Sequence, residues 1–201
     1  MQIMDLQKIE KKMWQAQFKD GLFDLFYASM LMISGVQLLY YHFWITFLLL
    51  ASIPIVIVGK LIITKPRLGT VRFGNERINK GLKANLILLT VFLTTLLIFY
   101  LSASPRYDIN LDFSSVIIIL IIVIFGVLAY FLEFYRFLVY GMMFAMGEFT
   151  IRNFGDETGA VLFYIFSGIL LITGLYYLSK FMRENPIPKL EDTHAAENNS
   201  L

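Results

Sequence analysis

Apolar residues run in long blocks along this chain, and charged residues gather between them. The longest block without Asp, Glu, Lys or Arg is Leu25–Gly59, 35 residues. A hydrocarbon core of roughly 30 Å takes about 20 helical residues. As a single helix this block would be about 52 Å long, too long for one crossing, so it must turn. Tyr40-Tyr41-His42-Phe43-Trp44 has the aromatic composition of a membrane interface and marks the turn. The pattern predicts spans at about 21–41 and 43–64. Pro54 removes a backbone donor from the second and predicts a kink there. Further blocks predict spans at about 85–101, 113–132 and 159–181. Phe137–Gly147 is apolar but short before Glu148. It fits a short span at about 134–151, a re-entrant segment or an interfacial helix.

The two ends read differently. In residues 1–20, Leu6, Ile9, Met13 and Phe18 recur near helical spacing, with Lys8, Lys11, Lys12 and Lys19 beside them. This predicts an amphipathic helix, either lying in the inner interface with its lysines snorkelling to headgroups or packing on the protein's own loops. It lacks the pattern of a cleaved leader, so it is expected to be retained. Residues 21–182 form the membrane domain. Residues 183–201 carry Asn185-Pro186-Ile187-Pro188 near their start and turn polar, which predicts a disordered cytosolic tail.

Composition agrees with the pattern. The chain is 58% hydrophobic and 16% charged, against about 45–50% and about 25% in soluble domains. It has 0 cysteines, which excludes disulfides, thiolate metal sites and cysteine nucleophiles. Charge placement then sets the topology. With six spans and the N-terminus inside, 15 of the 17 Lys and Arg residues fall on the inner side; with five spans, 13 do. The positive-inside rule favours six. The fold expected is an all-α integral membrane protein of six transmembrane helices in three hairpins, with five as the alternative. It would lie in the cell membrane with both termini cytoplasmic.

The inner loop Thr64–Phe73 is the most distinctive segment. Pro66 predicts an extended Lys65, and Leu68–Phe73 reads as a short strand that would need a partner, such as a second copy of the chain. Pro66, Arg67, Gly69 and Arg72 are its candidate functional positions. The loop carries six cations over Lys65–Lys83 against one acid, Glu76. Anionic lipid headgroups are its most economical partner, and nucleic acid is not expected. Pro66-Arg67-Leu68-Gly69-Thr70-Val71-Arg72-Phe73 resembles the Pro-Arg-aliphatic-Gly-x-Val-basic-aromatic loop of a group of uncharacterised prokaryotic multi-pass membrane proteins. Phe181-Met182-Arg183-Glu184-Asn185-Pro186 is similar to how those chains finish. The resemblance implies a prokaryotic membrane protein and no particular activity.

Ionisable groups within or beside the spans are the candidates for chemistry. Hairpin register places Asp24 opposite Lys60, as a charged vestibule or as a structural pair. Glu133 and Arg136, three apart, would be neighbours on one helix face. Thr90, Thr94 and Thr95 would bond carbonyls of their own helix. Gly141 and Ala145, and Gly168 and Gly174, offer thin spots for helix contact. Asp20-Gly21-Leu22-Phe23-Asp24 resembles the opening of the CDP-alcohol phosphotransferase motif but lacks the Ala-Arg and the later paired aspartates. No nucleophile elbow, zinc-protease or phosphate-loop motif is present, so no catalytic residue, metal or cofactor is expected. The expected role is non-enzymatic, in membrane assembly, the envelope or interaction. The alternatives are a small oligomeric transporter or channel, and an intramembrane lipid-acting enzyme using Asp24, Lys60, Glu133 and Arg136.

Overall fold

The computed structural model describes residues 14, 18–68, 79, 81–83, 85–91, 93–94 and 113–187. Among these the protein is helical, with no strand. Helix α1 spans Leu22–Tyr40 and α2 spans Phe43–Gly59, continued by a π-helical segment Lys60–Thr64 and one α-turn Lys65–Leu68. Then come α3 (Phe113–Phe131), α4 (Arg136–Phe154) and α5 (Asp156–Glu184). Three helical stretches are long and apolar enough to cross a membrane: Leu22–Tyr40, Phe47–Leu68 and Asp156–Glu184. Gly81–Val91 and Ser115–Phe131 are shorter apolar helices.

The first hairpin turns where the aromatic cluster predicts. Tyr41 is left-handed (φ 49°) and its N–H returns to the Gln37 carbonyl; His42 is extended, and α2 starts at Phe43. The next joints are as tight. Glu133 at φ 53° lies in the turn between α3 and α4. Gly155 at φ 88° links α4 to α5 almost without a loop, its N–H on the Ile151 carbonyl.

Lys65 is helical (φ −62°, ψ −44°), not extended. In a regular helix the Pro66 ring would collide with the carbonyl four residues back. The wide π turn ahead of it, where the Lys65 N–H bonds the Lys60 carbonyl, relieves that collision and lets the helix run on. Leu68, expected to begin a strand, ends this helical turn, while Gly69 and Arg72 lie outside the described residues.

Small residues hold the helices close. Helices α1 and α5 run antiparallel: the Ser167 hydroxyl donates to the Ala28 carbonyl at 2.8 Å, and a Cβ on Gly174 would stand 2.9 Å from Leu25. A Cβ on Gly141 would stand 2.5 Å from that of Phe125, and one on Gly147 would enter the Phe163 ring. Gly168 faces open space and is no thin spot. The core is aromatic, built around Tyr27, Phe137, Tyr140 and Phe163, with Tyr27 and Tyr140 stacked at 4.5 Å. The outside is aliphatic. Ile119, Ile122, Ile172 and Leu175 are exposed, a surface that suits hydrocarbon better than water. Thr90 and Thr94 donate to the carbonyls of Leu86 and Thr90, as expected; Thr95 is outside the described residues.

The N-terminal segment is described only at Trp14 and from Phe18 onward. Trp14 Nε1 donates to the Leu132 carbonyl at 3.0 Å, and Phe18 stacks on Phe23 and Phe134. At these positions the segment packs on the protein itself. At the other end α5 continues to Glu184, past the expected boundary at 182, and Asn185-Pro186 stops it. The rest of the tail from Pro188 lies outside the described residues.

Candidate functional site

The ends of the bundle differ in character. The start of α1, the π segment, the α3–α4 turn and the end of α5 meet at one end, here the basic end. The α1–α2 turn and the α4–α5 joint meet at the other, the far end.

At the basic end the helix start of α1 presents two acids on consecutive turns. Gly21 adopts φ 80°, which swings Asp20 back under the helix it precedes. Asp20 is completely buried, and its Oδ1 accepts the Leu22 N–H at 3.1 Å, answering one of the orphan donors of the helix start. Its Oδ2 accepts Lys60 Nζ at 3.0 Å and the Thr64 hydroxyl at 2.7 Å. Both donors come from the π segment. Lys60 Nζ also lies 4.6 Å from the Phe23 ring centroid, a cation–π contact.

Asp24 is buried one turn on, and its Oδ2 accepts Arg136 Nη1 at 3.0 Å. Its Oδ1 accepts the Tyr140 hydroxyl at 2.5 Å. The Arg136 guanidinium sits 3.8 Å from the centroid of Tyr177 on α5. The expected Asp24–Lys60 pairing is therefore corrected. Lys60 goes to Asp20, Asp24 goes to Arg136, and together they tie α1 to α2 and to α4. Glu133 precedes α4 in a left-handed turn, so the helical spacing expected for Glu133 and Arg136 does not hold.

Arg67 closes the same end from another side. Its Nη1 donates to the carbonyls of Met182 (3.1 Å) and Asn185 (3.0 Å), supplying partners to the open C-terminal carbonyls of α5. Arg67, in the part of Pro66–Phe73 that is described, thus meets Phe181–Pro186, the other stretch that carries the sequence resemblance. Gly69 and Arg72 are not described. Asp20, Thr64 and Tyr140 are the residues that sequence reasoning missed. The i, i+4 spacings of Lys60 with Thr64 and of Arg136 with Tyr140 were signals available for finding them.

Between the start of α1 and the end of α5 lies an open cup of about 300 Å³, lined by Lys19, Arg136, Tyr177, Lys180, Phe181, Glu184 and Asn185. It presents three cations and one acid, with Glu184 3.8 Å from Lys180. The far end holds a second cavity of about 280 Å³ against Glu148. Among the described residues no group of three or more His, Asp or Glu side chains could hold a metal ion.

The fold and these sites define a helical protein with membrane-length helices and a basic, open end. Compared with known protein families, curated proteins and solved structures, the chain matches none.

Proposed function

We propose that the protein is a non-enzymatic, multi-pass component of the cell membrane that holds anionic lipid headgroups at its inner face. Six spans in three hairpins, with both termini cytoplasmic, is the topology that goes with this reading. The cup lined by Lys19, Arg136 and Lys180 is the observation that carries it. Asp24 engages one side of Arg136, while two lysines and the rim of the guanidinium face the opening. An anionic headgroup there meets snorkelling lysines and a guanidinium fork without leaving the interface. Charge placement supports the orientation. Lys60, Lys65, Arg67 and Arg183 share the basic end with the cup, whereas Arg152 stands at the far end. The sequence resemblance supports a prokaryotic membrane. Association with a second copy of the chain remains part of this proposal, with the inner loop as its candidate contact.

In nanodiscs, anionic phosphatidylglycerol is expected to raise the unfolding temperature relative to phosphatidylcholine alone. Replacing Lys19 and Lys180 together by glutamine is expected to weaken anionic-lipid binding by about 2 kcal/mol, roughly thirtyfold, at about 1 kcal/mol per cation. High salt should mimic the double variant. Equal stability and equal binding in both lipids would refute the reading.

The transporter alternative would use Asp24 and Lys60 as a vestibule. Both are engaged in clamps between helices. Its support comes instead from the far end.

A further inference from the structure

On α4, Arg136, Tyr140, Phe144, Glu148 and Arg152 recur every fourth residue, a row that winds about 40° round the helix at each step. The first two are used by Asp24, and Phe144 packs in the aromatic core. Arg152 is turned to α3, where its Nη1 donates to the Ser115 hydroxyl. Glu148 is half-buried and lines the far-end cavity with Ser34, Gln37, Leu38, Tyr41, Ile151 and Phe163. Tyr41 in turn donates to Asp156, a second carboxylate at this end.

We propose that this cavity binds a small organic ammonium cation, with Glu148 as its counter-ion. A half-buried carboxylate beside Leu38, Ile151 and Phe163 is stabilised by a positive partner. Among the described residues, Glu148 makes no hydrogen bond or ion pair, and Arg152, the nearest cation along its helix, is directed at α3. The rest of the lining selects the kind of cation. Tyr41 and Phe163 bring aromatic rings to the wall, which suit an alkylated ammonium, and Ser34 brings a hydroxyl oxygen for an N–H donor. Leu38, Ile151 and Phe163 give the wall an apolar side that an organic cation can use and a bare inorganic one cannot. A volume of about 280 Å³ suits a cation of a few carbons rather than a drug-sized molecule. This site stands apart from the basic cup and does not depend on lipid binding there.

The test is calorimetry and thermal unfolding of the full chain in nanodiscs, with tetramethylammonium and butylammonium chloride titrated against sodium chloride at equal ionic strength. The wild type is expected to bind one or both organic cations saturably. Glu148→Gln is expected to weaken that binding at least tenfold, while Glu148→Asp retains part of it. Two arms keep misfolding from mimicking the result: the Gln variant must keep the wild-type melting profile without ligand, and Ser34→Ala, which leaves the charge, is expected to weaken butylammonium more than tetramethylammonium. Absence of saturable binding in the wild type would overturn the proposal. So would undiminished binding in a folded Glu148→Gln variant, or an equal response to sodium.

Discussion

Asp20→Ala is expected to destabilise the folded bundle by about 3–5 kcal/mol, the cost of breaking a buried ion pair by removing one partner. Asp20 is completely buried and takes three donors. Alanine would leave the Thr64 hydroxyl, itself buried, without its acceptor, and would take from Lys60 the carboxylate that it meets at 3.0 Å. It would also expose the Leu22 N–H at the helix start. The loss is specific to the pair. Once Asp20 is gone, removing Lys60 as well should cost less than it does in the wild type, because the contact the two share is already lost. Reversible unfolding in mixed detergent micelles measures all four corners of this cycle. A loss below about 1 kcal/mol for Asp20→Ala, or strict additivity with Lys60→Ala, would mean the ion pair does not hold α1 to α2.

Gly21→Ala is expected to cost about 3 kcal/mol, from two separate causes. At φ 80° an L side chain pays about 1–2 kcal/mol for the left-handed backbone. The new Cβ would also run into the Gly174 carbonyl and stand 2.8 Å from the Leu178 nitrogen. These are backbone atoms of α5 and cannot rotate aside, so the helices must part, at about 1–3 kcal/mol. Gly21→Asn separates the causes. Asparagine tolerates the left-handed backbone but brings the same Cβ against α5. It should keep the packing share of the loss. A Gly21→Asn variant as stable as the wild type would show that α1 and α5 are not in close contact at Gly21.

The three helices long enough to cross a membrane were legible because charge is expensive in hydrocarbon, and its scarcity along the chain draws their outlines. The first turn was legible from its aromatic run, and Tyr41 and His42 do break the helix there. The pairing at the basic end was misread for a reason of register. Counting back from the turn puts residues at the same height without fixing which side of the helix they occupy. Leu22 is the residue that packs on Gly59, and Asp24, half a turn further round, faces α4 instead. Asp20 was overlooked because the apolar pattern begins after it. Only the left-handed Gly21 folds it inward. Lys65 was read as extended because the residue before proline ordinarily is. The π turn that makes room for Pro66 depends on tertiary contacts, since Lys60 and Thr64 both reach Asp20 from within it. Arg67 was singled out for its motif. That it caps the end of α5 follows from a contact more than a hundred residues away along the chain.

The central claim is that the cup faces the cytoplasm and the Glu148 cavity faces outward. The chain has 0 cysteines, so an introduced thiol reports without background. Phe154 at the far end and Ile187 beyond the cup are 68% and 57% exposed, so both tolerate replacement. A membrane-impermeant maleimide applied to intact cells should label Phe154→Cys at once, and Ile187→Cys only after permeabilisation. Labelling of Ile187→Cys from outside would contradict the account.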